Sequence, residues 1–320
     1  MEVGLVSVLI PVFNGSKYLR QAIDSVLAQT YPALEIVAVD DGSTDDSAAI
    51  LAAYGDRVRC FRQPNSGSVG IARNACLREA RGEYLAFLDQ DDWWLPTKVA
   101  RQVAVVRADE RIGLVHTEVA YYYEATGALG PPQNPRARPG EMVGACYEAL
   151  LLGNPICNSS VLLRSDTIGR VGGCDVAIRG NTVQDYDLWL RIAQGGFHFG
   201  FVGTPETVFR LHAGQGHRDR RAMLQEEAKV LLRHRPREQW RASQAGRNRL
   251  TNLYDAMAVA HLDAGDAPQA RRCFAEALAV RPSVRQAVRY AASRLPYAMV
   301  AAIRRWREAL REWRIRGVTE

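Results

Sequence analysis

The chain is short of the residues that staple, anchor or metallate a protein. Its six cysteines, Cys60, Cys76, Cys146, Cys157, Cys174 and Cys273, are scattered, with no C-x-x-C pair and no histidines at zinc spacing. This excludes a disulfide frame and a zinc site of the usual kind, and it points to reduced thiols in a cytoplasmic compartment. No apolar run approaches the ~18 residues that span a bilayer. Glu2 leads directly into Val6-Ser7-Val8-Leu9-Ile10 without a basic leader or cleavage site, so no signal peptide is expected. After that first apolar run stands Asn14-Gly15-Ser16 rather than G-x-G-x-x-G, which argues against a dinucleotide-binding dehydrogenase. The absence of G-x-x-x-x-G-K-[ST] removes the P-loop NTPases.

What is present is an ordinary globular composition, 47% hydrophobic and 24% charged over 320 residues, enough for one large domain or two. The net charge of +6 is unevenly placed. Residues 1–110 hold 11 Lys+Arg against 15 Asp+Glu, residues 111–218 hold nine of each, and residues 219–320 hold 21 against 11. An acidic front and a basic end suggest two separate jobs.

The front alternates strand and helix. Val6 to Val12 reads as a buried strand, halted by Pro11 and the Asn14-Gly15 turn, and Leu19, Ile23, Val26 and Leu27 follow at helical spacing. Glu35–Val39 is a second strand and Ser47–Tyr54 a helix. Val58–Phe61 is a third strand, and a helix from about Ser68 to Ala80 follows. Tyr84–Leu88 is the central strand. Such alternation calls for a mostly parallel sheet flanked by helices, an α/β fold with right-handed crossovers. Ligands of these sheets bind beyond the carboxyl ends of the strands. That places Pro11–Gly15, Asp40–Thr44, Asn65–Gly70 and Asp89–Asp92 on one rim.

Asp89, Asp91 and Asp92 crowd three carboxylates into four residues, a repulsion that favours a cation at the site. Asp89 and Asp91 are spaced to share a hard cation that keeps other positions for water and phosphate oxygens. The alternative is a loop whose acids cap the helix after Pro96. Asp41, ahead of Gly42, is either a ligand contact or a turn residue.

Pro11-Val12-Phe13-Asn14, Val39-Asp40-Asp41-Gly42-Ser43-Thr44-Asp45, Asn65-x-Gly67 with Ala72-Arg73-Asn74, and Phe87-Leu88-Asp89-x-Asp91-Asp92 together resemble the family 2 glycosyltransferases over about residues 5–215. These are inverting, metal-dependent enzymes with the GT-A fold. The resemblance implies that Pro11, Phe13, Asn14, Asp41, Ser68 and Asp89 contact a nucleotide-sugar, with uridine the expected base. Asp89 and Asp91 would be its D-x-D pair, with Asp91, Asp89 and His212 around Mn²⁺ or Mg²⁺. His212 belongs to an Arg-x-His, Arg210-Leu211-His212; a lone His is otherwise more often structural. Gln184-Asp185 stands where the family carries a Glu-Asp pair whose Asp is the catalytic base, so Asp185 would be that base despite Gln184. Acids at a helix start, Asp185 and Asp187 here, are also what the helix dipole alone favours.

Further on, Gly113–Tyr123 and Asn158–Arg164 read as strands, and Ala125–Gly144, rich in Gly and Pro, as a long loop bordering an acceptor site. From residue 219 the chain reads as all-helical. Leu250–Ser283 resembles one tetratricopeptide repeat, with Tyr254, Met257, Ala258, His261, Gly265, Ala270, Phe274, Ala277 and Pro282 at its spacings. One copy builds a hairpin, not a solenoid. In about 297–316, Met299, Ile303, Trp306, Leu310 and Trp313 form one stripe with Arg304, Arg305, Arg307, Arg311 and Arg314 off it. That pattern fits an interfacial helix on an anionic membrane, a peripheral place on its inner face, or a helix docked on the hairpin or in an oligomer. Nucleic acid is not expected, because no recognition motif accompanies the charge.

The expectation is therefore a GT-A glycosyltransferase domain over 1–218 and a helical region over 219–320. The first would move a sugar from a nucleotide-sugar to a hydroxyl on a saccharide or lipid-linked acceptor. A non-catalytic nucleotide-sugar-binding or scaffold protein on the same fold is the alternative that Gln184 suggests. A nucleotidyltransferase is disfavoured, since no Gly-rich phosphate loop with Arg or Lys follows the first strand.

Overall fold

A computed structural model describes residues 1–130, 140, 142–178, 183–214 and 220–294. The chain divides into two compact units, Met1–Arg218 and Asp219–Glu320.

The first unit opens with β1 (Glu2–Val12), α1 (Leu19–Leu27), β2 (Leu34–Asp40), α2 (Ser47–Ala52), β3 (Arg59–Arg62), α3 (Val69–Glu79) and β4 (Gly82–Phe87). It continues through β5 (Trp93–Trp94), α4 (Lys98–Ala108), β6 (Ile112–Tyr123), β7 (Ala128–Gly130), α5 (Tyr147–Leu152), β8 (Leu162–Arg164), α6 (Ser165–Val171), α7 (Gln184–Gln194) and β9 (His198–Leu211). The sheet runs β3-β2-β1-β4-β8-β6-β9-β5, with β7 on β6. Pairings from β3 to β4 are all parallel, as strand–helix alternation requires. Beyond β4 the sheet is mixed: β8 runs antiparallel to β4 and β6, and β9 returns parallel to β6. Val6, Val8, Ile10, Ile36, Ala38, Tyr84 and Ala86 from the parallel half share one core with Leu19, Ile23 and Val26 of α1 and Val99 and Val103 of α4.

One strand ends where expected and another starts late, both for local reasons. β1 ends at Val12 opposite Asp40, just past Pro11. Leu9 O accepts from Leu88 N at 3.1 Å on the β4 side. Pro11 faces that same side two residues on, where β4 has already ended, so its missing N–H is not needed. Asn158–Ser160 is a 3₁₀ turn rather than the start of a strand, which begins at Leu162. Its serines bond locally instead: Ser160 Oγ donates to Cys157 O at 2.7 Å and Ser159 Oγ to Asp92 at 2.6 Å. Beneath this turn lies Lys98, fully buried, its amine 2.6 Å from Gln102 Oε1 and 3.9 Å from the centre of the Trp94 ring. Burial pushes that amine well below the usual lysine range. Gln102 in turn donates to Val115 O and Ser160 O, both at 2.8 Å. Of the loop expected near an acceptor, residues 131–139 and 141 lie outside the described residues.

The second unit is helical: α8 (Arg220–His234), α9 (Arg237–Ala242), α10 (Gln244–Asp263), α11 (Ala267–Val280) and α12 (Val284–Ala292). Pro236 separates the first two helices, and Ser243, Asp266 and Ser283 cap the last three through their side chains. α10 and α11 form a hairpin whose turn carries Gly265 at φ +77°, a conformation that favours glycine. Ala258, Leu262, Ala270, Cys273 and Phe274 fill its seam. α12 is reversed in polarity. Its polar Gln286 and Ser293 flank are buried and Arg289 pairs with Asp255, while Val284 and Val288 are 82% and 57% exposed. No described helix is long and apolar enough to cross a membrane. The amphipathic stretch at about 297–316 lies outside the described residues.

Candidate active site

The end of β1 is locked to the loop after β2. Asp41 N donates to Val12 O at 2.7 Å, Asn14 N to Ser43 Oγ at 3.0 Å, Gly15 N to Ser47 Oγ at 2.9 Å and Ser16 N to Asp45 at 2.9 Å. Asn14 returns the contact, its Oδ1 accepting from Thr44 N at 2.8 Å, and holds φ +48°, alone among described non-glycine residues. Burial alone would raise the Asp45 carboxyl, but hydrogen bonds from Ser47 and Ser16 outweigh it and hold the group at about 2. Phe13, 42% exposed, exchanges two hydrogen bonds with the Gln90 amide, N to Oε1 at 2.9 Å and Nε2 to O at 3.0 Å. A Cβ on Gly15 would lie 2.2 Å from Gln90 Oε1, so a side chain there would have to displace the Gln90 amide.

Asp41 is buried and anchors the loop before α3. It accepts from Gln63 Nε2 at 2.5 Å, Ser66 Oγ at 2.8 Å and Ser66 N at 3.1 Å. Its carboxylate thus fixes the loop between β3 and α3. Ser68, the residue ahead of α3, is buried and its hydroxyl has no hydrogen-bond partner.

The three clustered acids after β4 divide the labour. Asp89 Oδ1 takes Arg73 at 2.7 Å and Asn158 Nδ2 at 3.0 Å. Asp91 Oδ2 lies 3.0 Å from His212 Nε2. Asp92 turns inward, almost wholly buried, accepting from Ser159 Oγ at 2.6 Å and Arg210 N at 2.9 Å. Burial, then the charges of Asp91 and Asp89, push Asp92 well above the usual carboxylate range; burial and Asp89 raise Asp91 as well. Asp92 is therefore a structural acid tying β9 to this loop.

The sequence reading missed Arg210 as the prop of this turn. It donates to Asp91 O at 2.8 Å and Gln21 at 2.6 Å, and its guanidinium lies 4.6 Å from both the Tyr18 and Trp93 rings. The Arg-x-His pattern marked the residue, but strand alternation gave no view of the aromatic cage around it.

Asp91 and His212 fit a cation as far as they go. A separation of 3.0 Å suits adjacent ligands of an octahedral ion with bonds of about 2.1 Å, and a second charge would relieve the pressure that raises Asp91. Asp89 does not join them: among the described residues no three His, Cys, Asp or Glu side chains converge on one ion. The physical reason is Arg73, which already neutralises Asp89.

At the first turn of α7, Asp185 is half-buried and its Oδ1 accepts from Tyr186 N at 2.8 Å. Gln184 is buried, its Cγ 3.2 Å from where a Cβ on Gly70 would stand. Asp187 points into the fold and pairs with Arg191 at 2.8 Å, which also caps the carbonyls of Val171 and Gly173. Of the acids on this helix, Asp187 is thus structural.

The Glycosyl transferase family 2 model matches residues 7–165. An Escherichia coli protein named UDP-Glc:alpha-D-GlcNAc-diphosphoundecaprenol beta-1,3-glucosyltransferase WfaP is 31% identical over 215 residues, 66% of this chain and 78% of that protein. The chain belongs to glycosyltransferase family 2. An uncharacterized glycosyltransferase of Rickettsia felis is 34% identical over 219 residues, and the match spans only 35% of that longer protein. The structure of S. aureus TarS 1-349 in complex with UDP-GlcNAc superposes with a TM-score of 0.55 at 16% identity, covering 86% of this chain and 91% of that one. The shared fold is the GT-A type, and this family member carries its rim residues on the loops described above.

Proposed function

We propose that this chain is an inverting glycosyltransferase that moves a sugar from a UDP-sugar to a hydroxyl of a saccharide or lipid-linked acceptor, in cell-surface polysaccharide or glycolipid synthesis. The observation that carries the reading is the Asp91–His212 pair at 3.0 Å beside the Arg73–Asp89 ion pair, where the loop after β4 meets the end of β9. The names of WfaP and of the TarS complex support uridine as the base, and WfaP supports a lipid-linked diphosphate acceptor.

On this reading Phe13, held by Gln90, and the Asn14 loop border the base and ribose, beside Pro11. Asp41 keeps the Ser66–Ser68 loop in place, and the Ser68 hydroxyl and Asp89 face the donor. Asp91 and His212 would hold Mn²⁺ or Mg²⁺, whose charge offsets that of the diphosphate. Asp185 takes the proton of the acceptor hydroxyl as its oxygen attacks C1. The new C1–O bond forms as the bond to the β-phosphate oxygen breaks on the opposite face, which inverts the anomeric centre. The leaving group departs as the nucleoside diphosphate.

A panel of UDP- and GDP-sugars, incubated with the full chain and Mn²⁺ and read by nucleoside diphosphate release, tests the reading. Release from one UDP-sugar, stimulated by the metal, is expected. Binding of UDP-sugars with no release and no transfer to any lipid-linked or saccharide acceptor would instead favour the non-catalytic alternative.

A further inference from the structure

Lys98 and Gln102 are wholly buried on α4 and take no part in the mechanism above. Their contacts nevertheless lead step by step to the carboxylate loop. Gln102 Oε1 accepts from the Lys98 amine at 2.6 Å, and Gln102 Nε2 donates at 2.8 Å to both Val115 O and Ser160 O. The two carbonyls can only accept and the amine donates, so the Gln102 amide fits in one orientation alone. The Trp94 ring lies 3.9 Å from the Lys98 amine, and its Nε1 donates to Ser159 O at 2.7 Å. Successive carbonyls of the Asn158–Ser160 turn are thus pinned by two buried side chains. The side chains of the turn in turn engage the acids. Asp89 N donates to Ser159 Oγ at 3.1 Å, Ser159 Oγ donates to Asp92 at 2.6 Å, and Asn158 Nδ2 donates to Asp89 Oδ1 at 3.0 Å.

We propose that Lys98 and Gln102 are positioning residues which, with the Trp94 indole, hold the Asn158–Ser160 turn as the template for the 89–92 loop and so preset the donor site. This rests on the donor role proposed above for that loop. Burying an amine is costly, and apolar replacement of buried ionic groups is often neutral or stabilising for a fold. Stability of the fold alone therefore does not call for Lys98. What the amine supplies is direction: it holds Oε1, and Nε2 is left to serve the carbonyls of β6 and of the turn. A buried network of this kind rigidifies what it touches. Without the amine, Gln102 loses the partner that fixes its amide. Without the amide, Ser160 O and Val115 O lose a shared donor.

The experiment compares the full-length native chain with Lys98→Met, Gln102→Met and a control, Val103→Ala, which opens a cavity on the same helix in the core shared with β1 and α1. Melting temperature, ligand-free hydrogen exchange of the amides in 89–92, and UDP affinity with and without Mn²⁺ are measured. Lys98→Met is expected to melt close to the native chain, yet to speed exchange in 89–92 at least about tenfold and to weaken UDP binding about tenfold. Gln102→Met should do the same with a lower melting temperature. Val103→Ala should melt lower, while exchange and affinity stay within about twofold of native. If exchange and affinity in Lys98→Met lie no further from native than in Val103→Ala, the proposal is overturned. A Lys98→Met chain that melts far below Val103→Ala makes Lys98 a structural residue and overturns it too. Lys98→Met thus decides the matter even where Gln102→Met does not fold. A native chain that binds no UDP would overturn the donor reading and the presetting built on it, and the ligand-free exchange then still tells whether the pair holds the loop.

Discussion

The two units of this chain handle charge in opposite ways. In the first, acids are drawn inside beside strand ends: Asp41 and Asp92 are nearly buried, and each is answered by a hydroxyl from another segment, Ser66 and Ser159. In the second, residues 220–294 carry 15 Lys+Arg against seven Asp+Glu, and most of these charges lie on helix surfaces. Buried, cross-linked charge fixes geometry and makes a site. Surface charge of one sign makes a field and a solubility, with little fixed geometry. The same sorting separates α7, whose apolar face is inside, from α12, whose valines face out and whose glutamine faces in.

The largest expected effect breaks the second unit alone. Trp240, fully buried, donates to Leu231 O at 3.4 Å, and Trp240→Ala should cost about 3–5 kcal/mol. Urea unfolding read by helical circular dichroism should show the loss, while UDP affinity stays within about twofold, because every candidate donor residue lies in 1–218. A matching fall in UDP affinity would end the separation of roles.

Next in size is the Asp91–His212 pair. Asp91→Asn removes one ligand charge without cavity or clash, so melting should change little. The gain in UDP affinity that Mn²⁺ brings should fall by about tenfold, or about 1.4 kcal/mol, in calorimetric titration. An undiminished metal effect would show that the cation, if bound, sits elsewhere.

A smaller, pH-dependent effect belongs to Asp45. Its folded value of about 2 lies below the unfolded value of about 3.9. Its stabilising contribution is therefore present above about pH 4 and is lost as pH falls through about 2. The melting difference between the native chain and Asp45→Asn should be largest near neutral pH and should shrink on acidification in that window. A constant difference from pH 6 to pH 2 would mean that the carboxylate charge is not what holds Ser16 and Ser47.

The smallest effect concerns α12. Val288→Gln places a polar group where water already is and should change stability by no more than about 0.5 kcal/mol. A loss well beyond that, or a change of mass in solution, would show that this face is covered in the intact protein.

How far the sequence carried depends on period and partner. Alternating strands and helices marked the parallel half correctly because β1, β2 and β4 carry short apolar runs such as Ile36–Val39, with β3, Arg59–Arg62, the weakest of the four. The antiparallel return was harder: β8 is three residues long, and the serines before it bond to Cys157 and Asp92 instead of forming a strand. β9 runs for 14 residues through Gly200, Gly203 and Pro205, which mask its alternation. At the site, residue type located the acids but not their partners. Nothing in the spacing of Asp89, Asp91 and Asp92 tells which is claimed by Arg73, which meets His212 and which turns into the core. Those choices are made by residues tens of positions away, Asn158, Ser159 and Arg210 among them. Gln90 was invisible for the same reason, since its partner is a main-chain group on another loop.

The central claim is that Asp185 is the base of a glycosyl transfer, and Asp185→Asn tests it most directly. The variant keeps the shape and the acceptor oxygen for Tyr186 N but cannot take a proton. General base catalysis contributes about 10²–10⁴-fold. Measured at saturating donor with Mn²⁺, the transfer rate should fall by that order while UDP affinity and melting temperature hold. Transfer within a few-fold of the native rate would contradict the account, leaving Asp185 as no more than an acid at the start of a helix.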